Sequence, residues 1–318
     1  MENKTEDKWI KAMISETFAE QKKARRWGIF FKALTFLYLL GAIIVFFNSA
    51  SPNLSDEKQE AHTAMVQING IIAADKEANA NTIVSGLRAA FENEFSKAVM
   101  LVINSPGGSP VQAGYVFDEI KRLRLLYPDK KLYAVIAELG ASGGYYIAAA
   151  ADDIYADKAS LVGSIGVTAS SFGFVDLMKK VGVERRHFTS GEHKAFLDPF
   201  SPAKEVESEF WQEVLDVTHQ QFITVVKTGR GDRITQQENL TELFSGLIWN
   251  GEQALNLGLI DGLGSPGYVA REVIKAENIV NYSVTPSALE KITKKLGVAI
   301  GSGIANQLVS ENTFLELK

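Results

Sequence analysis

The apolar positions change their period several times along the chain, and each change marks a different element. Trp27 to Phe47 (WGIFFKALTFLYLLGAIIVFF) is continuously apolar, 21 residues interrupted by one charge, Lys32. A bilayer core takes about 20 apolar residues in helical form, so this run predicts a single transmembrane helix. Residues 48–60 (NSASPNLSDEKQE) are polar and turn-rich and read as a linker. Beyond residue 61 short apolar runs of strand length appear at Met65–Ile72, Ala98–Asn104 and Lys131–Glu138. Between them Ala80–Phe95 and Val111–Leu126 carry helical spacing; in the second, Val116, Ile120 and Leu123 fall at i, i+4 and i+7. Strand alternating with helix predicts βαβ units, hence an α/β fold with a mostly parallel sheet. Further on, the pattern predicts a strand at Asp153–Ala156, a helix near Phe174–Val181, a strand near Arg186–Phe188 and a long helix near Lys204–Lys227. That helix has an apolar side of Trp211, Val214, Val217, Phe222 and Val225. A last amphipathic helix is expected over Ser287–Leu308, and no internal repeat is present.

Charge orients the apolar run. Residues 1–32 carry 8 basic and 5 acidic side chains, whereas the whole chain of 318 residues has a net charge of −5. Lys22, Lys23, Arg25, Arg26 and Lys32 lead into the span with no acid among them. Bases on that flank predict a cytosolic N-terminus and an exported remainder. Lys32 is near enough to the edge to snorkel. Two other readings compete: a cleaved signal peptide with its site near Asn48-Ser49-Ala50, and a buried core helix. The 26 mostly polar residues in front disfavour the first, and the missing polar face disfavours the second.

With 46% hydrophobic and 22% charged residues the chain is of ordinary globular composition. The acidic balance gives no sign of nucleic-acid binding. No cysteine is present, which excludes disulfide scaffolds, thiolate metal sites and a cysteine nucleophile.

In an open α/β sheet, sites form beyond the C-terminal ends of strands. Two glycine-rich loops occupy such positions: Asn104-Ser105-Pro106-Gly107-Gly108 and Gly140-Ala141-Ser142-Gly143-Gly144. The second sets a serine between small residues on a strand-to-helix turn, where the hydroxyl is exposed and free N–H groups can hold an oxyanion. The first can supply a further backbone donor. Each loop alone also fits a simple turn with a helix cap. The pattern Gly140-x-Ser142-x-Gly144 further matches the nucleophile elbow of α/β-hydrolases, whose base is a histidine. His187 and His193 are conceivable bases; His62 lies beside the linker and His219 inside the long helix. Lys194 is the other candidate, since a lysine can act as base once desolvation draws its pKa from about 10.4 toward about 7–8. Composition does not choose between histidine and lysine.

Five stretches carry a family resemblance: SPGG (Ser105–Gly108), GASGGYYIA around Ser142, SLVGSIGV (Ser160–Val167), SGEHKAFLDPFSP around Lys194, and NGEQALNLGLIDGLG (Asn250–Gly264). In order and spacing they resemble signal peptide peptidase A in its short, membrane-anchored bacterial form, over residues 61–285 with the N-terminal span. The resemblance implies a Clp protease/crotonase-like fold and a Ser–Lys dyad peptidase forming a covalent acyl-enzyme. Ser142 would be the nucleophile, Lys194 the general base and Ser164 the hydroxyl orienting the lysine. The N–H groups of Gly108 and Gly143 would form the oxyanion hole. It implies hydrophobic signal-peptide remnants as substrates, a homo-oligomeric ring, and no cofactor or metal. The catalytic domain would lie outside a bacterial inner (cell) membrane, followed by a C-terminal helical extension at 286–318. Three other readings stay in view: an esterase using Ser142 and a histidine, a non-catalytic membrane scaffold, and a crotonase-like acyl-CoA enzyme, the last at odds with an external location.

Overall fold

The computed structural model describes residues 21–23, 25–44, 60–234 and 240–284. The chain divides into two compact units, one of Met1–Leu54 with Pro286–Lys318, the other of Ser55–Thr285. In the first, the described residues form one helix, Gln21–Ile44, the one helix among the described residues long and apolar enough to cross a membrane. Its described side chains are exposed, and Trp27 stacks on Phe31 one turn away at 5.7 Å. Residues 45–47 of the expected span, most of the 48–60 linker and the expected helix Ser287–Leu308 lie outside the described residues.

The second unit is built on one sheet. Among the described residues it has eight strands: β1 (His62–Asn69), β2 (Ser96–Ser105), β3 (Leu132–Ala141), β4 (Asp153–Ala156), β5 (Leu161–Gly163), β6 (Ile248–Asn250), β7 (Gly262–Leu263) and β8 (Ile279–Asn281). The order is β6-β5-β3-β2-β1-β8, with β4 between β3 and β7. Every pairing is parallel except β5 with β6. Strand β3 changes partner along its length: Tyr133–Ile136 pair with β4, and Leu139–Ala141 with β5. That switch carries the end of β5 to the same edge as the end of β3.

Apolar runs without alternation follow from burial on both faces. Val99, Leu101 and Ile103 of β2 join the larger core with α1 (Ala80–Glu92) and α2 (Pro110–Leu126). Their neighbours Ala98, Met100 and Val102 pack on the other face with Val269. Both helices begin at capping side chains: Asn79 accepts from the Thr82 N–H, and Ser109, followed by Pro110, accepts from that of Gln112. Glu119 of α2 accepts hydrogen bonds from Arg122 and from Arg88 of α1. Arg122 first and Arg88 second hold its carboxyl down at about 2.

The strand expected near Arg186–Phe188 is not formed. These residues are exposed, outermost Phe188, and follow α4 (Val175–Val181) as irregular chain without a ladder partner among the described residues. A run of three residues, two of them polar, has no sheet edge to join there. Instead Arg185 and His187 face the Asp198 carboxylate.

The long helix α5 (Glu205–Arg230) ends on a buried arginine. Arg230 donates to both Asp261 oxygens at 2.8 and 2.9 Å, and its Nε donates to the Gly258 carbonyl. Asp261 in turn accepts from the Ile154 N–H at the start of β4. Removing one partner of a buried pair leaves the other charge uncompensated, at a cost of about 3–5 kcal/mol. Arg233 Nε also lies 3.1 Å from Asp261 and keeps part of its charge paired, so Arg230→Met is expected to lower unfolding free energy by less than about 3–5 kcal/mol in urea titration, but by more than Arg186→Met, on an exposed pair, which should change it little.

Candidate active site

The end of β3 runs into α3 (Gly143–Ala148) through one residue, Ser142. Its backbone is at φ 51°, ψ −124°, a conformation that disfavours any side chain. Such a residue costs about 1–3 kcal/mol and persists only where its surroundings over-determine it. Here they do. The Ser142 N–H donates to the Gly163 carbonyl at the end of β5, and its own carbonyl accepts from the Tyr146 N–H. The turn is also pressed from the β2 side. A Cβ on Gly107 would lie 2.7 Å from the Ser142 Cβ and 2.6 Å from the Gly143 nitrogen, so only glycine fits there.

The Gly107–Gly108 loop is itself braced. Buried Ser105 donates to the Gly70 carbonyl and accepts from the Gly107 N–H. Ile72 flanks the loop, taking a hydrogen bond from Ser109 and giving one to the Gly107 carbonyl. Gly108, at φ 148°, has Ile72 oxygen where a Cβ would be. A Cβ on Gly143 would stand 3.4 Å from the Gly108 nitrogen, so the two loops lie against each other at these residues.

Ser142, Ser164, Gly108 and Gly143 line one cavity of about 360 Å³. Ser164 follows β5 directly, also at positive φ (49°), and its N–H donates to the Leu247 carbonyl. The wall is completed by Pro110 and Ala113 of α2, Tyr146 of α3, and Thr218, Gln221 and Phe222 of α5. The last three were not singled out as site residues by sequence; about eighty residues separate them from Ser142, and only Phe222 carried a signal, as part of an apolar helix side.

Lys194 is not in that cavity. It sits exposed in a turn over residues 192–197 and takes part in no ion pair among the described residues. Nor are His187 and His193 there. His187 Nδ1 is 3.7 Å from Asp198. His62 is buried against the Tyr282 hydroxyl, and His219 Nε2 is 3.1 Å from the Ile165 carbonyl. Among the described residues no group of three acidic or histidine side chains is placed to hold a metal ion.

Fold and loops define a class: a mostly parallel α/β protein with a serine on a strained strand-to-helix turn, packed against the glycine loop of the neighbouring strand. Residues 125–280 match the profile of peptidase family S49. The Methanocaldococcus jannaschii chain named "Putative protease MJ0651" is 31% identical over 218 residues, 67% of this chain and 68% of that one. The Enterococcus faecium chain named "Putative signal peptide peptidase SppA" is 31% identical over 207 residues, 63% of this chain and 59% of that one. A Brucella abortus chain named "Na(+)/H(+) antiporter NhaA" is 46% identical over 178 residues; these are 56% of this chain, which spans only 24% of that longer one. The chain belongs to peptidase family S49.

A side chain at position 108 would push its loop off Ile72 and re-aim the Gly108 N–H. Losing one oxyanion donor costs about 10²–10³-fold in kcat. If the Gly108 N–H is a donor to the reacting carbonyl, Gly108→Ala loses at least about 10²-fold in peptide hydrolysis, read as kcat, with unchanged far-ultraviolet circular dichroism; full activity would exclude this amide from the reaction.

Proposed function

We propose that the protein is a membrane-anchored serine endopeptidase that cleaves hydrophobic signal-peptide remnants, with Ser142 as nucleophile and Lys194 as base. The observation that carries this reading is the strained Ser142 turn packed on Gly107–Gly108 at the mouth of the cavity. Neutral Lys194 takes the Ser142 proton as the hydroxyl oxygen bonds to the scissile carbonyl carbon. The resulting oxyanion is held by the Gly108 and Gly143 N–H groups, whose loops already lie together. The protonated lysine gives its proton to the leaving amine as the C–N bond breaks. Water, deprotonated by the same lysine, then releases the acyl group. Ser164 orients the lysine ammonium. Pro110, Ala113, Tyr146 and Phe222 give the cavity an apolar wall suited to apolar residues of an extended peptide. The antiporter name belongs to a chain three quarters of which has no counterpart here, and no transport function is carried over.

Ser142 and Lys194 do not share a cavity within one chain, which favours a composite site in a homo-oligomeric ring, the lysine coming from a neighbouring subunit. Exposed apolar side chains around the lysine segment, Phe172, Phe188 and Phe210 among them, support an interface there. Ser142→Ala and Lys194→Ala are each expected to lose at least about 10³-fold in activity. Lys194→Arg should fail too, because a guanidinium does not deprotonate. Wild-type rate should rise toward alkaline pH. Mixing the two inactive alanine variants under subunit exchange should restore part of the activity; mixed oligomers that form and stay inactive would place the dyad within one chain.

The single span would keep enzyme and substrate at one bilayer surface, which raises their effective concentration. The proposed topology is N-terminus cytosolic, catalytic unit exported. A reporter fused after Lys318 should behave as exported and the chain should keep its first residues; a soluble form starting near Ser51 would show cleavage instead.

A further inference from the structure

Between Gly166 and Gln221 Glu207 is the single residue buried as a whole, and its carboxylate and that of Asp198 are both almost wholly enclosed. Charged side chains are almost never buried without a specific partner, so this burial calls for a local cause. Glu207 lies in the first turn of α5 and faces the turn that bears Lys194. Its Oε2 accepts a hydrogen bond of 3.1 Å from the Leu197 N–H, and its Oε1 one of 2.9 Å from Lys204. Leu197 is at φ 50°, the left-handed region, where a leucine stays only if something holds it. Next to it Phe196 sets its ring edge-on against Phe210 and Trp211 of the same helix, at 5.8 and 6.0 Å. The turn is closed internally by Lys194 N–H to Gly191 carbonyl and Phe196 N–H to His193 carbonyl. The Lys194 turn is thus fastened to α5 at its C-terminal end by one carboxylate and one ring, three and two residues from the lysine.

We propose that Glu207 is the positioning residue for Lys194: by holding Leu197 in its left-handed conformation it fixes the direction in which the turn presents the lysine. This rests on the reading of Lys194 as the base. Lys204 and His193 are the charged and titratable groups facing the Glu207 carboxylate, and Lys204, followed by the Leu197 N–H, holds its carboxyl below the usual range. The carboxylate form is therefore kept throughout the alkaline range in which a lysine base works. Beyond Leu197, Asp198 ties the next stretch by accepting from Arg185, Ser201 Oγ and the Phe200 N–H. It secures the segment after the turn but does not touch the left-handed residue's N–H.

The role predicts an order among substitutions. Glutamine keeps an oxygen at the reach of the Leu197 N–H and gives up the charge. Aspartate keeps the charge near Lys204 and withdraws the oxygen by one methylene. The test is kcat, KM and pH–rate profile of the full-length protein in detergent, on a fluorogenic apolar peptide, for Glu207→Gln, Glu207→Asp and Glu207→Ala. A misplacement of about 1 Å at a reacting group costs up to about 10²-fold. The expected result is that Glu207→Asp and Glu207→Ala lower kcat about 10- to 100-fold, KM staying within about twofold, and move the alkaline rise to higher pH. Glu207→Gln should keep most of kcat and the wild-type profile. The reverse order, aspartate active and glutamine not, would overturn the proposal in favour of a charge pair with Lys204. So would unchanged kcat and profile in Glu207→Asp, or a loss that only tracks the folded fraction. The glutamine–aspartate pair decides the matter even if the alanine variant does not fold. Lys194→Ala, measured beside them, separates the two readings. If it turns over normally the base assignment fails; if it is dead while the Glu207 series is flat, this inference alone fails.

Discussion

The structure turns on one steric fact: the backbone of the Gly107–Gly108 loop occupies space that a side chain would need. A Cβ on Gly107 would fall within 2.7 Å of Ser142 and one on Gly108 would meet the Ile72 oxygen. Because neither exists, the ends of β2 and β3 converge, and Ser142 is held in a backbone conformation it would not adopt alone. That approach requires adjacent parallel strands ending at one level, which the β2–β3 register provides by pairing Ser105 with Gly140. The partner switch of β3 completes it, since it lets β5 reach the same level and hold the Ser142 N–H with Gly163. The strain at Ser142 is thus supported from both flanking strands.

Much of this was legible in the chain. The runs at Ala98–Asn104 and Lys131–Glu138 are doubly buried strands, and uninterrupted apolar sequence marks such strands directly. The glycine loops were legible because only glycine tolerates those approaches, so necessity leaves a mark in composition. The short strands β5 to β8 were not. Two or three residues such as Gly262–Leu263 or Ile248–Asn250 carry no period; they become strands only by pairing, β7 with β4 and β6 with β5, itself only three residues long. The strand expected at Arg186–Phe188 failed for the complementary reason: a run of three residues forms no strand without an edge to receive it.

Lys194 shows a different limit. Motif order and spacing singled it out, but spacing along a chain cannot say whether two residues meet within one subunit. The structure keeps Ser142 and Lys194 in unlike surroundings. Ser142 stands amid fully buried neighbours, Tyr145 and Ile147 among them, while no residue from Thr168 to Val206 is buried. Glu207 and Leu197 carry no sequence signal for a related reason. A glutamate in the first turn of a helix reads as a solvated, dipole-compatible charge. Nothing in its identity tells that its carboxylate closes over a left-handed leucine ten residues earlier.

That contrast bears on how a peptidase of this kind would confine its activity. A serine fixed by the core is ready in every folded subunit, and its geometry is as stable as the sheet. A lysine on a segment with no buried residue, secured by a few contacts such as Glu207 with Leu197, Asp198 with Arg185 and Phe196 with Phe210 and Trp211, depends on local order of lower stability. If the two meet only across an interface, the second half of the site is completed by the surface that assembly covers. The exposed aromatic side chains of that segment then have two roles: they cost solubility in the isolated chain, and they supply the apolar area that orders the lysine when a neighbour covers them. Activity would be tied to assembly because the less stable half of the site gains its order from the contact that brings the halves together.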